Sequence, residues 1–513
     1  MPQITRRQFI QRSAMAAAAT SLASACSDTT SSAGERPRAI VIGSGFGGSV
    51  AALRLGQAGI ATVVLERGQE WTLRGPDTFP GISRPDRRTT WFGEVEALTG
   101  STAVTPWAGL LERVSGDNVD AVCGACLGGG SLVYGGVLIQ PQRDVFSQVF
   151  PQINYDDMDQ VYYPRVIAQI GAGRIPEDIL ASDNYRAHRT FLADASAAGF
   201  NVSKPHTGFD WDIIRREING SAPAAASISE YLYGCNSGAK LSTDKNYLAE
   251  ARATGNVEIR SLTEVVMISE GHNGGYALEC RHINVEGDEL ERYELQTEYV
   301  FLAAGSLNTS KLLLKSQLAG GLTGGNDRIG QGWGTNGDQL MLEYSNSPVS
   351  GYQGGPACIA AVDSSTAAYP ITFMHSPASV PVDIQIQLAM SVPDTSGELL
   401  YDSSTGHLSI RWPDDTSTPS AIARTDSFKR LLTQTGGLSL AGLGGRATIW
   451  HPLGGVVMGD ACDHLGELYG YRNLFVVDGS LLPGSAAAAN PSLTIAANAE
   501  RIMEQLVSRL IAR

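Results

Sequence analysis

The stretch Arg38-Ala-Ile-Val-Ile-Gly-Ser-Gly-Phe-Gly-Gly48 indicates the fold class of this 513-residue chain. Its first five residues form a short apolar strand, and the glycine-rich turn leads into an apolar-periodic helix over Ser49 to Gly59. Gly43 permits a tight turn, Gly45 lets a diphosphate approach the backbone, and Gly48 lets the helix pack on the strand. Free N–H groups at a helix N-terminus favour negative charge. The stretch therefore predicts a strand–turn–helix unit that binds a dinucleotide.

A second predicted strand, residues 61–65, ends in Glu66, eighteen residues after Gly48. A carboxylate at this place accepts hydrogen bonds from a ribose diol and disfavours a 2′-phosphate, so FAD or NAD fits better than NADP. A further strand, residues 298–305, ends in small residues, as is needed where a sheet passes close to a bound cofactor. Its distance along the chain predicts a nucleotide domain assembled from separated segments.

The composition excludes several classes of function. With 38 Lys and Arg against 52 Asp and Glu, the net charge is −14, which argues against a nucleic-acid partner. Cys123 and Cys126 are the only cysteines with a two-residue spacer, and no second such pair or nearby histidine pair accompanies them. We therefore expect no metal site, and a disulfide or ordinary packing for these two cysteines.

The N-terminal residues predict export. Thr5-Arg6-Arg7 precedes an uncharged, alanine-rich run from Ala14 to Ala25, the pattern of a twin-arginine signal, and residues 1–37 are assigned to the signal and a linker. Cleavage after Ala25 and lipidation of Cys26 both stay open, so the mature protein is expected to be periplasmic or secreted, with or without a lipid anchor. No other run approaches the ~18 apolar residues of a membrane span, so the mature chain is expected to lack a transmembrane segment.

Three further motifs point to a flavin enzyme. They are the glycine-rich stretch 128–136, the stretch 476–483 and the stretch 490–495. With the dinucleotide motif, and in this order, they make the chain from about Arg38 onward resemble the glucose-methanol-choline (GMC) family of flavin oxidoreductases. Stretches 53–59, 333–337 and 451–455 make it most similar to the bacterial cholesterol oxidases with non-covalent FAD.

The resemblance implies a fold, a cofactor and a set of binding residues. The expected fold is α/β, with a discontinuous, Rossmann-like FAD-binding domain and a second, substrate-binding domain built on a mainly antiparallel sheet. The ADP half of FAD would contact Gly43, Gly45, Phe46, Gly47, Gly48 and Glu66, with Val265 at the adenine. The flavin half would contact Gly130, Tyr134, Gly135 and Val137, with Asp478 and Gly479 near the ribityl-pyrophosphate and Asn490 and Pro491 at the flavin edge.

His451 is the candidate catalytic base. Oxidation of an alcohol by a flavin requires removal of the hydroxyl proton as hydride leaves the carbon, and histidine suits that task. His451 lies between the apolar stretch 447–450 and a Pro-Leu-Gly-Gly turn. From the residues alone, His451 is expected to be a hydrogen-bonded core histidine. The resemblance implies instead that it is the catalytic base. The following histidines lie in polar contexts and are expected in solvated loops or on helix faces: His188, His206, His272, His282, His407 and His464.

Asn490 is the second candidate catalytic residue. It precedes Pro491 at the start of the apparent last helix, whose clearest part is 496–510, and its plain role is that of an N-cap. The resemblance adds that its amide faces both the flavin and the substrate oxygen, while the helix N-terminus stabilises negative charge on the reduced flavin.

Three departures from the family pattern affect the expected activity. The stretch 371–376 contains no carboxylate where sterol oxidases carry a glutamate for double-bond isomerisation; Thr372 is the nearest match and His375 a candidate substitute. The missing carboxylate therefore argues against isomerase activity. Tyr134 replaces an asparagine beside the flavin, and the loop 486–489 is one residue longer than the family's.

The chain is divided into two discontinuous domains. Residues 38–155, 231–340 and 446–513 are assigned to the FAD-binding domain, and residues 156–230 and 341–445 to the substrate domain. Alternation of polar and apolar residues predicts sheet strands over 384–390 and 408–412 in the second domain.

Three functions follow as hypotheses. The first is oxidation of a bulky secondary alcohol, expected to be a 3β-hydroxysteroid, with O2 as acceptor. The second is a dehydrogenase of a non-steroid alcohol that passes electrons to a quinone or cytochrome, motivated by Tyr134 and the missing glutamate. The third, a flavoprotein that has lost catalysis, is disfavoured because His451 and Asn490 are both present.

Overall fold

The computed structural model describes residues 37–271, 274–344, 351, 353–366, 368–379, 383–440 and 447–511. The predicted export signal, with Cys26, lies outside the described residues, as does His272.

The chain from Arg38 onward forms one compact unit of mixed helices and strands. The strands are β1 Ala39–Ile42, β2 Thr62–Leu65, β3 Leu111–Ser115, β4 Val119–Gly124, β5 Val137–Leu138, β6 Asn201–Ser203, β7 His206–Thr207, β8 Val257–Arg260, β9 Thr263–Glu270, β10 Tyr276–Ile283, β11 Glu289–Thr297, β12 Tyr299–Leu302, β13 Gln339–Tyr344, β14 Ala360–Asp363, β15 Ile371–Ser376, β16 Ile384–Met390, β17 Glu398–Asp402, β18 His407–Arg411, β19 Leu438–Ser439, β20 Ala447–Ile449 and β21 Leu474–Val476. The α-helices are α1 Phe46–Gln57, α2 Gly130–Val133, α3 Arg143–Val149, α4 Tyr155–Asp157, α5 Tyr163–Ile170, α6 Glu177–Ala181, α7 Arg186–Ala197, α8 Trp211–Ile218, α9 Tyr247–Ala253, α10 Gly305–Leu318, α11 Pro419–Thr435 and α12 Pro491–Ile511.

A five-stranded parallel sheet has the order β21-β12-β1-β2-β8. Its central strands are continuous runs of buried β-branched and aromatic residues, as expected for a parallel sheet covered on both faces. Helix α1 begins at Phe46, three residues before the predicted start, and packs between this sheet and helices α9 and α12. The carboxyl ends of β1, β2, β12 and β21 meet at one edge, where ligands bind in such sheets.

A six-stranded antiparallel sheet has the order β19-β13-β16-β15-β14-β6. One face, which we call the helix face, carries Ile371 and Phe373 and packs against helices α7 and α11. The opposite face, the cavity face, carries Met374 and Leu388. This sheet, together with the parallel sheet, confirms the predicted α/β fold with a mainly antiparallel second sheet.

One predicted strand lies elsewhere. Residues 384–390 form β16 as expected, but the stretch predicted over 408–412 is β18, which pairs with β17 in a separate hairpin. Ile410 of this hairpin packs with Trp333 and Trp412 in another apolar cluster. Alternation identified the strand correctly but does not determine its partner. The division into two discontinuous domains stays a prediction.

Three smaller elements complete the framework around the cavity. Strands β9, β10 and β11 form an antiparallel sheet, and β5 pairs with β7. Strand β20 pairs in parallel with β4, which brings the segment that precedes His451 beside the nucleotide-binding half. Within the described residues, no helix combines the length and apolarity needed to cross a membrane.

Candidate active site

A cavity of about 550 Å³ lies between the carboxyl edge of the parallel sheet and the cavity face of the six-stranded sheet. The nucleotide side is lined by the turns after β1, β2, β12 and β21. The opposite side is lined by apolar residues, among them Leu340, Ala357, Met374, Ile386 and Leu388. The cavity therefore has one end built of turns and helix starts and another with an apolar lining.

The glycine-rich turn after β1 has the predicted geometry. Gly43 has a φ of +97°, which favours glycine, and a Cβ on Gly48 would lie 2.1 Å from the carbonyl oxygen of Gly43. These two glycines thus serve the turn and the close packing of α1. By contrast, a Cβ on Gly45, Gly130 or Gly135 would meet no protein atom within 4 Å, and all three residues line the cavity. They leave a glycine cradle open to a ligand.

Glu66 lines the cavity at the end of β2 and is almost fully buried. Its Oε2 accepts hydrogen bonds from the amide and hydroxyl of Ser44, at 3.1 and 2.6 Å, and its Oε1 accepts one from the amide of Gly68 at 2.8 Å. Burial raises the pKa of this carboxyl above its usual value, although the hydrogen bonds oppose the shift. The carboxylate is thereby held at the place where a ribose diol is expected.

Gly48, also predicted as a cofactor contact, is not among the described lining residues, because it packs against Gly43. Gly43 and the remaining predicted cofactor contacts do line the cavity. Its lining includes Phe46, Gly47, Tyr134, Val137, Val265, Asp478, Gly479, Asn490 and Pro491. The carboxylate of Asp478 also has a structural role. Its Oδ1 accepts hydrogen bonds from the amide and hydroxyl of Ser480, and its Oδ2 accepts hydrogen bonds from the amide of Gly305 and the hydroxyl of Thr309. Asp478 therefore fixes the start of α10 at the cavity.

Tyr134 fits its position because a glycine lies opposite its phenol. Its ring packs edge-on against Phe46, with centroids 5.5 Å apart. A Cβ on Gly208 would lie 1.8 Å from the phenol oxygen, so only glycine leaves room for the tyrosine. The hydroxyl is 3.4 Å from the carbonyl oxygen of Leu241.

His451 is held by a carboxylate that the sequence analysis missed. Its Nδ1 lies 2.8 Å from Oδ1 of Asp338, and Oδ2 of the same carboxylate accepts hydrogen bonds from the amides of Trp450 and His451 at 3.1 and 3.0 Å. The side chain of Asp338 is fully buried, and that of His451 is 14% exposed. On the other side of the ring, Nε2 lies 3.5 Å from Nδ2 of Asn490. Asp338, His451 and Asn490 thus form one line of polar contacts that ends in the cavity.

Asn336 positions the loop that carries Asn490. Its amide nitrogen donates to the carbonyl oxygen of Ala489 at 2.9 Å, and its carbonyl oxygen accepts from the amide of Ala486 at 2.8 Å. Ala487 and Ala488 between them both have φ of +58°, a backbone conformation that is strained for alanine. The stretch 333–337 was noted only for its resemblance, and the structure shows that it and the following Asp338 support both candidate catalytic residues.

Two expectations about other histidines are wrong. His188 was expected in a solvated context but is fully buried in α7, because its ring packs edge-on against that of His375 with centroids 4.6 Å apart. His375 was a candidate substitute for the missing glutamate. It lies against Phe191 on the helix face, while the neighbouring Met374 and Ser376 line the cavity. Among the described lining residues, no carboxylate comes from the six-stranded sheet.

Cys123 and Cys126 are both free, so the prediction of ordinary packing is confirmed and the disulfide alternative is wrong. Cys123 lies near Glu112 and Asn308, whereas the thiol of Cys126 points to the carbonyl oxygen of Gly129. No cluster of metal ligands occurs in the part of the chain that the structure describes.

The family follows from comparison with known proteins. Residues 22–332 match the N-terminal part, and residues 413–499 the C-terminal part, of the GMC oxidoreductase family. The chain belongs to the GMC oxidoreductase family. Members of this family are flavin-dependent, and the chain is an oxidoreductase that acts on CH–OH groups.

Relatives in the GMC family show how far the likeness extends. The chain is 23% identical to a cholesterol oxidase of Acinetobacter baumannii, with 92% of this chain and 94% of that protein covered. It is 25% identical to a cholesterol oxidase of Mycobacterium tuberculosis, with 90% and 89% covered. A solved pyridoxine 4-oxidase of Mesorbium loti shares the fold, with a TM-score of 0.63, 17% identity and 91% and 98% of the two chains covered.

Proposed function

We propose that this GMC oxidoreductase is an FAD-dependent oxidase of a bulky, apolar secondary alcohol, most plainly a 3β-hydroxysteroid such as cholesterol, with O2 as acceptor. The observation that carries the proposal is the contact line Asp338–His451–Asn490, which ends in a cavity whose opposite wall is apolar. Oxidation of an apolar alcohol requires a base that takes the hydroxyl proton and an apolar surface that contacts the rest of the substrate.

The residues on the cavity fit FAD. Gly45, Gly130 and Gly135 leave a cradle that a Cβ would fill, and the carboxylate of Glu66 stands at the end of β2. The buried Oδ1 of Asn490 has no hydrogen-bond partner among the described residues, so it is available to a ligand. When bound, FAD supplies the hydride acceptor for the alcohol carbon.

Asp338 and His451 supply the base. Because Oδ1 of Asp338 accepts the Nδ1 proton, the neutral imidazole carries its lone pair on Nε2, which faces the cavity. Nε2 can therefore take the hydroxyl proton, and the carboxylate stabilises the imidazolium that forms. Asn490 lies beside Nε2, so its amide N–H can donate to the substrate oxygen and hold it there.

Two observations support a sterol as substrate. Two relatives that cover 90% or more of this chain, at 23% and 25% identity, are named cholesterol oxidases. The substrate side of the cavity is lined by aliphatic side chains such as Leu340, Met374 and Leu388. Among the described lining residues, that side has no carboxylate from the six-stranded sheet, and we therefore propose oxidation without isomerisation of the double bond.

Anaerobic reduction tests the substrate. The purified protein is mixed without oxygen with cholesterol, with pyridoxine and with an aromatic primary alcohol, while the flavin band near ~450 nm is followed. Bleaching of the flavin by cholesterol, with a ketone product that lacks the isomerised 4-ene double bond, supports the proposal. Bleaching by another alcohol but not by cholesterol contradicts the sterol assignment. Absence of bleaching by every alcohol tested, with His451→Ala indistinguishable from the wild type, would favour a protein that has lost catalysis.

A dehydrogenase of a non-steroid alcohol is the second candidate. Tyr134 motivates it, because this residue lines the cavity beside Phe46, where the resemblance places the flavin and where the family carries a small asparagine. Recovery of the flavin band after air is admitted separates the two candidates. Slow recovery in air, with rapid recovery on addition of a quinone, would support the dehydrogenase.

A further inference from the structure

Lys240 is a buried lysine whose ammonium group, within the described residues, binds backbone carbonyls and ring faces. The residue is 1% exposed. Its Nζ donates to the carbonyl oxygens of Leu132 and Tyr134 at 2.9 Å each and of Tyr231 at 2.5 Å. Three acceptors require three N–H donors, which only the ammonium form has, because a neutral amine would direct its lone pair at one of the oxygens.

Three aromatic rings complete the surroundings of this charge. Nζ lies 5.6 Å from the ring centroid of Tyr134, 5.8 Å from that of Phe209 and 5.5 Å from that of Tyr231. Contacts of this kind stabilise a cation by electrostatic attraction to the ring face. None of the ion pairs in the described residues includes Lys240. The positive charge is thus buried and is not neutralised by a carboxylate partner.

The charge lies directly behind the wall of the cavity. The carbonyls of Leu132 and Tyr134 flank Val133, and Val133, Tyr134 and Tyr231 all line the cavity. Lys240 therefore joins two separate segments of the wall, residues 132–134 and Tyr231. A charge in such a water-excluded place acts on the cavity with little screening.

We propose that Lys240 is a positioning residue that fixes the flavin-side wall and, as a buried cation, makes bound flavin easier to reduce. The inference rests on the proposed function, because it takes the ligand at this wall to be FAD. A reduced flavin carries negative charge on its pyrimidine ring, whereas the oxidised flavin is neutral. A fixed positive charge therefore favours the reduced form.

Lys240→Met tests the inference, because it removes the charge and keeps a stem of similar length. Burial lowers the pKa of Lys240 to about 7, so the measurements are made at about pH 6, where the ammonium form predominates. We expect the variant to bind reduced FAD at least tenfold less tightly relative to oxidised FAD than the wild type does. For a two-electron couple this lowers the midpoint potential by about 30 mV.

Lys245→Met is the matched control. Lys245 is exposed and donates to the carbonyl oxygens of Gly238 and Lys240, so it belongs to the same segment but does not contact the wall. The midpoint potential of the flavin bound to Lys245→Met is expected to stay at the wild-type value. Lys240→Gln is the second neutral variant, which retains two N–H donors and decides the outcome if Lys240→Met does not fold.

The outcomes are distinguishable. A lower potential in either neutral Lys240 variant, with the control unchanged, supports the inference. An unchanged potential overturns it, and weaker FAD binding with an unchanged potential leaves Lys240 a structural role only. Failure of the wild type itself to bind FAD would overturn the proposed function rather than the role of the lysine.

Discussion

At the scale of single residues, the orientation of His451 depends on a carboxylate 113 positions earlier in the chain. We predict that Asp338→Asn lowers the rate of flavin reduction by about a hundredfold or more at saturating alcohol. The asparagine cannot accept from the His451 ring and from the two backbone amides at once, because one of its two positions is an NH2 donor. Rapid-mixing bleaching experiments measure the rate.

A matched variant separates this effect from general loss of a buried carboxylate. Asp120 is also buried and pairs with Arg113 at 2.8 Å, but it does not line the cavity. Asp120→Asn is expected to retain the wild-type rate. Reduction of Asp338→Asn at the wild-type rate would show that Asp338 does not position the base.

Glu66 makes FAD binding sensitive to acid. Burial raises its pKa, so on acidification it is protonated at a higher pH than an exposed glutamate. The carboxylate accepts from the ribose hydroxyls better than the acid does, so FAD affinity is expected to fall as pH decreases through the raised pKa. Glu66→Gln is expected to weaken FAD about tenfold near pH 7 and to flatten this pH dependence.

Binding, rather than thermal stability, is the readout for Glu66. The raised pKa means that the folded apoprotein favours the protonated acid, so its own stability from this group falls as pH rises. The two effects have opposite signs. Fluorescence titration with FAD at several pH values measures the pH dependence of FAD affinity alone. An unchanged pH dependence in Glu66→Gln would contradict the assignment of Glu66 to the ribose.

Gly208 and Tyr134 form a pair whose coupling is measurable. Gly208→Ala places a Cβ 1.8 Å from the present position of the phenol oxygen, so it is expected to destabilise the apoprotein by about 1–3 kcal/mol. Tyr134→Phe removes that oxygen and should restore part of the loss. A double-mutant cycle in chemical denaturation tests this, and strict additivity of the two changes would contradict the contact.

At the scale of elements, the packing of α7 on the six-stranded sheet buries two histidines that favour the neutral form. Burial lowers the pKa of His375 to about 3 and that of His188 well below its usual value. As pH falls below about 6.5, the unfolded chain binds a proton at each histidine while the folded protein does not. The free energy of unfolding is therefore expected to fall by about 1.4 kcal/mol per pH unit for each.

The slope of the free energy of unfolding against pH, rather than the absolute stability, tests the packing of α7 on the six-stranded sheet. His375→Leu is expected to reduce the slope of the free energy of unfolding against pH, between about pH 6 and 4, by about 1.4 kcal/mol per pH unit, the contribution of one histidine. His407→Leu on the exposed end of β18 is the control and should leave the slope unchanged. A slope in His375→Leu equal to that of the wild type would contradict the buried, neutral state.

Element-level predictions succeeded where a pattern is local. The glycine turn predicted β1 and α1, and alternation predicted β16. Alternation also places Met374 and His375 on opposite faces of β15, but it does not tell which face meets the cavity. That depends on packing of α7, which the sequence does not specify. The same limit explains why β18 was assigned to the wrong sheet.

At the scale of the whole molecule, the site is assembled from segments distant in sequence. Motifs predicted His451, Asn490 and the glycine cradle, because each motif carries its own local geometry. Asp338 and Lys240 were missed because their partners come from other segments: Asp338 binds His451, and Lys240 binds Leu132. The pairing of such residues is a property of the fold rather than of any single stretch.

The proposed export of the molecule is tested with the full chain in a bacterial host that has a working twin-arginine translocase. Replacing Arg6 and Arg7 together by lysine is expected to lower the exported fraction at least about tenfold, because the translocase recognises the arginine pair. Arg12→Lys is the matched control and should be exported normally. Export of the double variant at the wild-type level would contradict the twin-arginine assignment. Cys26→Ala distinguishes the two processing alternatives, because it releases the exported protein from the membrane only if Cys26 carries the lipid.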